Sequence, residues 1–499
     1  MQYSDALYQL IKSLNRTEKS YIKKFSHKVG SEKTKVFLEL FDAIDKQSEY
    51  NEKTLISKFE KKGVPKKSFP AAKHYLYNLI LKSLVDYNRN KSVHSRIRNY
   101  LEQAEILKAK RLKDQSLKLV LKAKELAKQH ESMTHFFEIL RVEQQLKVKQ
   151  DPAFMEEQRK EERYYIELYE NRYEFRQLYY KIFTEFRKVN VMRDIESVNR
   201  LKELMKHDLL SHESKAISFQ AKNNFHSLHG NFYAVTGQNE LAFQARLDQL
   251  NLWRNNKNKV ESQPVTYLRV SHNVCEAALK IQRVDEARDI IKELEKIEPL
   301  NKDHQLEILE VSWLNKIKIA IAANDFDLAQ NLVDELEEFW KQNPQMEFGD
   351  DMRYSLLVYF AGICYWNKQY DRSLSYQLEL INRKDYRYQQ DIAVSIRIIN
   401  LFTYYELKNV KMLEKAFIST YRFLHKQGKL FEFEKMLISG MKKLAGTPLN
   451  STKGQKVLKQ LEEKLTQLKQ DPFEQHAFQH FDPTPWIQSK RNKNQGQTV

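Results

Sequence analysis

The chain has 499 residues, with 84 Lys and Arg against 66 Asp and Glu for a net charge of +18, 41 % apolar residues, and only 11 Gly, 10 Pro and 2 Cys. So small a share of turn-forming residues argues against sandwiches, propellers and glycine-loop nucleotide folds, and for long helices with short connections. Two cysteines cannot build a disulfide framework or a multi-cysteine zinc site, and there is neither a charged-then-apolar leader nor a run of about 18 apolar residues, so an all-α, soluble, cytoplasmic protein without a membrane span is expected.

Residues 1–95 read as a helical module. Leu7, Leu10, Ile11 and Leu14 keep helical spacing, and Thr17-Glu18-Lys19-Ser20 reopens a helix carrying Tyr21, Ile22 and Phe25. Phe37, Leu38, Leu40, Phe41 and Ile44 form a third apolar stripe; Leu55, Ile56 and Phe59 form a fourth, halted at Gly63-Val64-Pro65. Tyr75, Leu76, Leu79, Ile80 and Leu84 follow Pro70, and the pair of helices around the glycine turn has the outline of a helix-turn-helix, a pattern that any two packed helices give. Most of the excess charge is here: residues 51–128 hold 20 Lys and Arg against 7 Asp and Glu. Either a lysine-rich solvated face or a surface for an acidic partner accounts for it.

From residue 96 to 445 the chain repeats itself. An early turn is expected at Lys113-Asp114-Gln115-Ser116. Residues 156–188 read as one long helix opened near Asp151-Pro152, and Ser211-His212-Glu213 is expected to cap the next hairpin. Then Gln238-Asn239-Glu240-Leu241-Ala242, Arg283-Val284-Asp285-Glu286-Ala287, Asp325-Phe326-Asp327-Leu328-Ala329 and Gln369-Tyr370-Asp371-Arg372-Ser373 each mark a short turn opening a second helix, with a looser copy at Asn409-Val410-Lys411-Met412-Leu413. The anchors Ala242, Ala287, Ala329, Ser373 and Leu413 are 45, 42, 44 and 40 residues apart, a period that marks stacked helical pairs. After Gly446-Thr447-Pro448, residues 446–487 supply a capping helix with Val457, Leu458, Leu461, Leu465 and Leu468. An aromatic stretch with Phe473, Phe478, Phe481 and Trp486 then docks back on the array, and residues 488–499, with Lys490, Arg491 and Lys493, are expected to form a disordered basic tail.

These turns resemble those of tetratricopeptide (TPR) repeats. That family places a small residue about twelve positions before the small residue of the second helix, an aromatic three later and a glycine at the turn; Gly230, Tyr233, Gly237 and Ala242 match all four places. Cys275 with Ala287 and Ala361 with Ser373 match the two small positions only, and the period exceeds the family's 34 residues by 6 to 11. The resemblance implies a right-handed α-solenoid of antiparallel helical hairpins (TPR-like, period about 40–45) behind the N-terminal module. The chain is also similar to large bacterial TPR-like proteins, which carry no established activity to transfer.

No Walker, Rossmann, HExxH, CxxC or GxSxG pattern occurs, so no enzyme, cofactor, metal or small-molecule substrate is expected. His226 with His229 and His476 with His480 have helical spacing but lack further ligands. Cys275 and Cys364 fall on apolar faces and read as core residues. Richest in information is Arg163 to Lys188, where Tyr165, Tyr169 and Tyr173 share one helix face flanked by Arg172 and Arg176. This reads as a wall of a protein or peptide groove, as a platform for stacked RNA bases, or as a helix buried on two sides.

The function these readings point to is a non-enzymatic scaffold that holds a peptide or partner protein in a concave groove, its wall near Lys222, Asn223, Asn273, Asn315, Lys316, Tyr354 and Tyr404. Two alternatives stand beside it. One is nucleic-acid or ribosome association through the basic 51–128 region with Arg96, Arg98, Lys108, Lys110 and Arg111; the other is a signal-responsive regulator with residues 1–95 as its effector.

Overall fold

A computed structural model describes residues 6–492 apart from 30–32, 62–64, 148–151, 193–194, 345, 347, 383–389, 427–429, 472–473 and 480. Gly63 and Val64 of the expected turn, Phe473, His480, and the tail from Lys493 lie outside the described residues. Among the described residues every regular element is a helix, no strand occurs, and no helix is long and apolar enough to cross a membrane. The chain divides into two compact units, Met1–Ile166 and Glu167–Val499.

In the first unit, α1 (Ala6–Ser13), α2 (Arg16–Val29), α3 (Lys33–Asp45), α4 (Glu52–Glu60) and α5 (Phe69–Asn88) surround one apolar core that includes Ile11, Ile22, Phe41, Ile44, Phe59, Phe69 and Ile80. The helix expected to reopen at Thr17-Glu18-Lys19-Ser20 starts at Arg16 and is capped by Asn15. Asn15 Oδ1 accepts the Glu18 amide at 2.9 Å while Glu18 Oε2 accepts the Asn15 amide at 3.0 Å, a reciprocal capping box. Next come α6 (Val93–Ala109), α7 (Lys113–Gln129) and α8 (Met133–Lys147), and the boundary between the units falls inside the 41-residue α9 (Pro152–Met192).

In the second unit α10 (Ile195–Met205) leads to α11 (Phe219–Val235), α12 (Asn239–Arg254), α13 (Lys257–Ser262), α14 (Pro264–Lys280), α15 (Val284–Leu294), α16 (Lys302–Ala322) and α17 (Phe326–Gln342). It continues through α18 (Asp350–Trp366), α19 (Tyr370–Asn382), α20 (Gln390–Glu406), α21 (Val410–Lys426), α22 (Glu432–Ala445), α23 (Thr452–Gln470) and α24 (Thr484–Asn492). Ahead of α11 the chain makes 3₁₀ turns at Asp208–Leu210 and Glu213–Lys215, and Ser218, whose side chain accepts the Ala221 amide, takes the capping role expected of Ser211.

Among the described residues one turn recurs seven times. Arg111, Glu131, Gly237, Gln282, Asn324, Lys368 and Lys408 all have positive φ, between 51° and 76°. At each, the following amide bonds back to the carbonyl five residues before it, as in Arg283 N to Ala278 O (2.9 Å), Asp325 N to Ala320 O (2.9 Å) and Gln369 N to Cys364 O (2.8 Å). The next helix starts at once, so the two helices of each pair run antiparallel over a short link. The left-handed residues from Gly237 on are 45, 42, 44 and 40 apart, the same spacings as the anchors Ala242 to Leu413.

The small residues sit where the paired helices press together. Ser116 Oγ donates to Ala104 O at 2.7 Å, Ser373 Oγ to Ala361 O at 2.6 Å, and Cys275 Sγ to Ala287 O at 3.7 Å, each pair twelve residues apart in sequence. Ala242, Ala287 and Ala329 are fully or almost fully buried at the same place. At Ala242, Ala287, Ala329 and Ser373 a larger side chain would force the helices apart, at a cost of about 1–3 kcal/mol for overpacking, whereas α20 and α21 meet with Leu401 and Leu413 at these positions.

Six of the seven left-handed positions hold a side chain, each at an expected cost of about 1 kcal/mol relative to Gly. Gln282→Gly and Lys368→Gly should each raise the free energy of unfolding by about 1 kcal/mol, and Gly237→Ala should lower it by a similar amount, read from urea midpoints. Gly362, in the interior of α18, has nothing within 4 Å of where a Cβ would stand, so Gly362→Ala should stabilise by about 0.5–1 kcal/mol. At Gly440 the added atom would run into Leu461 and the sign should reverse.

Candidate functional site

The recurrent turn fixes which residues of the first helices share a face. Counting back from the left-handed residue, the seventh position is the small or buried one (Gly230, Cys275, Ile317, Ala361, Leu401). Its neighbour, the sixth, is Asn231, Glu276, Lys318, Gly362 and Phe402 on α11, α14, α16, α18 and α20; the second, one helical turn on, is Val235, Lys280, Ala322, Trp366 and Glu406. All but Phe402 are at least partly exposed, and α14, α16, α18 and α20 each touch the next, so these positions form a continuous face.

Its middle is charged. Glu276 forms an ion pair with Lys318 across α14 and α16, their side chains 36 % and 15 % exposed, and His272 Nε2 stands 3.6 Å from the same carboxylate. His272 Nδ1 is 3.1 Å from Asn315 Oδ1. Arg246 reaches onto this face from α12, donating to Asn273 O at 2.9 Å and Asn231 Oδ1 at 3.3 Å; its side chain crosses the space left by Gly230, where a Cβ would come within 2.8 Å of Arg246 Cγ. The Lys318 ammonium lies 5.5 Å from the Tyr359 ring centroid, and Lys280 stands exposed at the edge.

One carboxylate thus serves several cations. Burial works against its ionisation, yet Lys318, His272 and Arg246 together hold Glu276 far below the usual carboxylate range. Burial also pulls Lys280 below the usual lysine range, and the fields of Arg246 and Lys318 add to that despite the opposing pull of Glu276. The local potential is therefore positive, suited to an incoming acidic group.

At the α18–α20 end the face is covered. Phe481 and Trp486, each 4 % exposed, lie on it: Phe481 is 5.2 Å from Phe402 and 5.8 Å from Trp366 between ring centroids, and Trp486 is 5.0 Å from Phe402 and 5.5 Å from Tyr405. Trp486 Nε1 donates to Glu406 Oε1 at 2.5 Å and Lys490 Nζ pairs with the same oxygen at 2.6 Å. Residues 488–492, expected to be disordered, are instead the end of α24. Their charges are used, Lys490 on Glu406 and Arg491 on Glu462.

The wall residues chosen from sequence fall elsewhere. Asn223 is buried, its Oδ1 accepting from Trp253 Nε1 at 2.7 Å and Gln249 Nε2 at 3.0 Å. Asn315 is fully buried and donates to Val311 O at 2.7 Å; Tyr354 and Tyr404 are buried in the apolar core. Lys222 and Lys316 are partly buried, near Glu213 and Glu295 respectively. Asn273 does reach the face, through its carbonyl to Arg246. In α9, Tyr165 is buried against Phe136 and its phenol is pushed up to about 12 by burial, whereas Tyr169 and Tyr173 are 41 % and 48 % exposed. Arg172 is partly buried, and Arg176 lies 5.4 Å from the Tyr173 ring. In its later part the helix buries Phe175, Leu178, Ile182 and Phe186 on one side only, leaving the tyrosine side open.

The five basic residues of the first unit are not gathered into one patch. Arg96, Arg98, Lys110 and Arg111 are exposed and Lys108 is partly buried, bonded to Gln145. Arg96 and Arg98 point roughly 160° apart on α6, and about 18 Å of helix separates Arg96 from Lys108. A cavity of about 430 Å³ in this unit is lined by charges that satisfy one another, with Lys124 bridging buried Glu143 (2.7 Å) and Glu161 (2.6 Å). No group of three or more His, Cys, Asp or Glu that could hold a metal is found among the described residues. His226 lies 3.5 Å from Glu213, and His229 Nδ1 is 3.0 Å from Phe225 O.

Compared with known proteins, the chain matches no family model, no curated sequence and no solved structure.

Burial pushes the Cys275 thiol up to about 12 and the Cys364 thiol up to about 11, so neither should react with a disulfide reagent at pH 8 until denaturant is added. Rapid labelling of the native protein would contradict the buried placement. Burial, with Lys318 and Arg246 adding to it against Glu276 and Asn315, lowers the proton affinity of His272 in the folded chain. The unfolded chain therefore takes up the proton first as pH falls below about 6.5, and stability drops. The urea midpoint should fall between pH 7.5 and pH 5.5, and by less in His272→Gln.

Proposed function

We propose that the chain is a non-catalytic scaffold: a right-handed, TPR-like α-solenoid that receives a peptide segment of a partner protein along the face made by α11, α14, α16, α18 and α20. The observation that carries this reading is the docked C-terminal segment, in which Phe481 lies against α18 and α20 and the short helix α24 places Trp486 on α20, with Trp486 and Lys490 on Glu406. The remaining stretch, with Arg246, Lys280 and Lys318 around Glu276, favours a segment bearing acidic side chains. Gly362 supplies bare floor between the two parts. Two buried free thiols suit a reducing cytoplasm.

The test is affinity capture with the full-length chain from its own cytosol, with and without nuclease and at two salt concentrations, beside Lys280→Glu and Gly362→Trp. A discrete protein that persists through nuclease and is lost about tenfold or more (~1.4 kcal/mol) with either variant supports the reading. Recovery of nuclease-sensitive material, or capture indifferent to both variants, moves the function away from this face.

A further inference from the structure

The covered end of the face has a chemistry that specifies its occupant. Tyr365, Trp366, Phe402 and Tyr405 make an aromatic floor at whose edge Glu406 sits, its side chain 12 % exposed. Trp486 Nε1 and Lys490 Nζ both reach that carboxylate, and both belong to α24, with Tyr370 offering its hydroxyl from the array side. Trp486 and Lys490 are four apart, so a helix presents them together, and the Lys490 ammonium also lies 5.5 Å from the Trp486 ring centroid. With α24 lifted away, the floor would be left as an apolar patch beside a carboxylate that had lost its cation, a combination that favours refilling.

The occupant is also of a kind that can leave. α24 has nine residues, too few to be stable as an isolated helix, and it stands at the end of the described chain. Besides Trp486 and Lys490 it is held by the fully buried Ile487 and by packing on α23, and at its rim by Gln488 to Glu462 at 3.0 Å, Arg491 to Glu462, and Asp482 to Lys469 at 2.6 Å. Tethering keeps its effective concentration in the millimolar range, so a competitor must bind the same pocket more tightly or touch more of the face. Phe402 and Glu406 occupy the same register positions as Lys318 and Lys280, so a longer segment entering here would continue onto the open charged stretch.

We infer that the pocket of Trp366, Phe402, Tyr405 and Glu406 is a docking site for a partner helix bearing an aromatic residue and, four positions later, a lysine or arginine, and that the chain's own α24 holds this site closed until such a helix displaces it. This rests on reading the first-helix face as the partner surface and adds the chemistry of one partner segment.

A fluorescein-labelled synthetic peptide of residues 474–492 is titrated by anisotropy against four full-length proteins: wild type, Trp486→Ala/Lys490→Ala, that double variant with Glu406→Gln, and Arg491→Glu. The double variant, with its tail disabled, should bind the peptide at least tenfold more tightly than wild type. Adding Glu406→Gln should weaken binding about tenfold, and a peptide lacking the Trp and Lys side chains should not bind. Arg491→Glu loosens the tail without touching the pocket; its affinity should fall between wild type and the double variant, which preserves the test if the double variant fails to fold. Equal affinity in wild type and the opened variants, no binding to opened proteins that still melt cooperatively, or indifference to Glu406→Gln overturns the inference. None of those results involves Lys280 or Gly362, so failure here and failure of the scaffold reading are separable.

Discussion

The second unit depends on close approach within each helical pair, made possible by small residues twelve apart and held by a left-handed turn. In four of the five pairs from Gly230 on, at least one of the two positions is Gly, Ala, Ser or Cys, while Leu401 and Leu413 fill both in α20–α21; Ser373 Oγ reaches across to Ala361 O at 2.6 Å, and Cys275 does the same to Ala287 more weakly at 3.7 Å. The turn then satisfies the last carbonyls of one helix and starts the next without a gap. Because the link has constant length, the phase of the first helix relative to the turn is constant too. The face that carries Glu276 and Lys318 is a consequence of that phase, as is the face on which Phe402 and Glu406 meet the tail.

Electrostatics divides this face into two parts of opposite character. On α14 and α16 the cations outnumber the single carboxylate that organises them, and the site is open. On α20 a single carboxylate is almost enclosed, and its ammonium partner comes from the C-terminal helix. A segment spanning both parts would therefore be asymmetric, basic and aromatic at one end and acidic at the other, which gives it a direction as well as an affinity.

Much of the fold is legible in the sequence because packing leaves a strong mark on composition. Ala242, Ala287, Ala329 and Ser373 have to be small, and their spacing by itself exposes the period. The turn's conformation is less visible: Arg, Glu, Gln, Asn or Lys stands at six of the seven left-handed positions, where Gly would have announced it. The residues of the proposed face are not the ones sequence reasoning chose, for a related cause. Asn315 and Lys318 lie three residues apart on one helix, the former buried with its amide consumed and the latter on the open face, and polarity alone does not separate them. Counting back from the left-handed residue Asn324 does so, since Lys318 is the sixth position before it. In the tail, Lys490 and Arg491 look like solvated charge because their partners Glu406 and Glu462 lie 84 and 29 residues away in sequence.

The measurement that tests this register most directly is a double-mutant cycle between Glu276 and Lys318, using Glu276→Gln and Lys318→Met and reading stability from urea unfolding. The pair is partly exposed, so a coupling of about 1 kcal/mol is predicted. The control is Glu276 with Lys316, which pairs with Glu295 and should couple to Glu276 by less than about 0.3 kcal/mol. Coupling near zero for Glu276 and Lys318, or transferred to Lys316, would mean that the first helices are rotated from the phase described, and the proposed face would not exist.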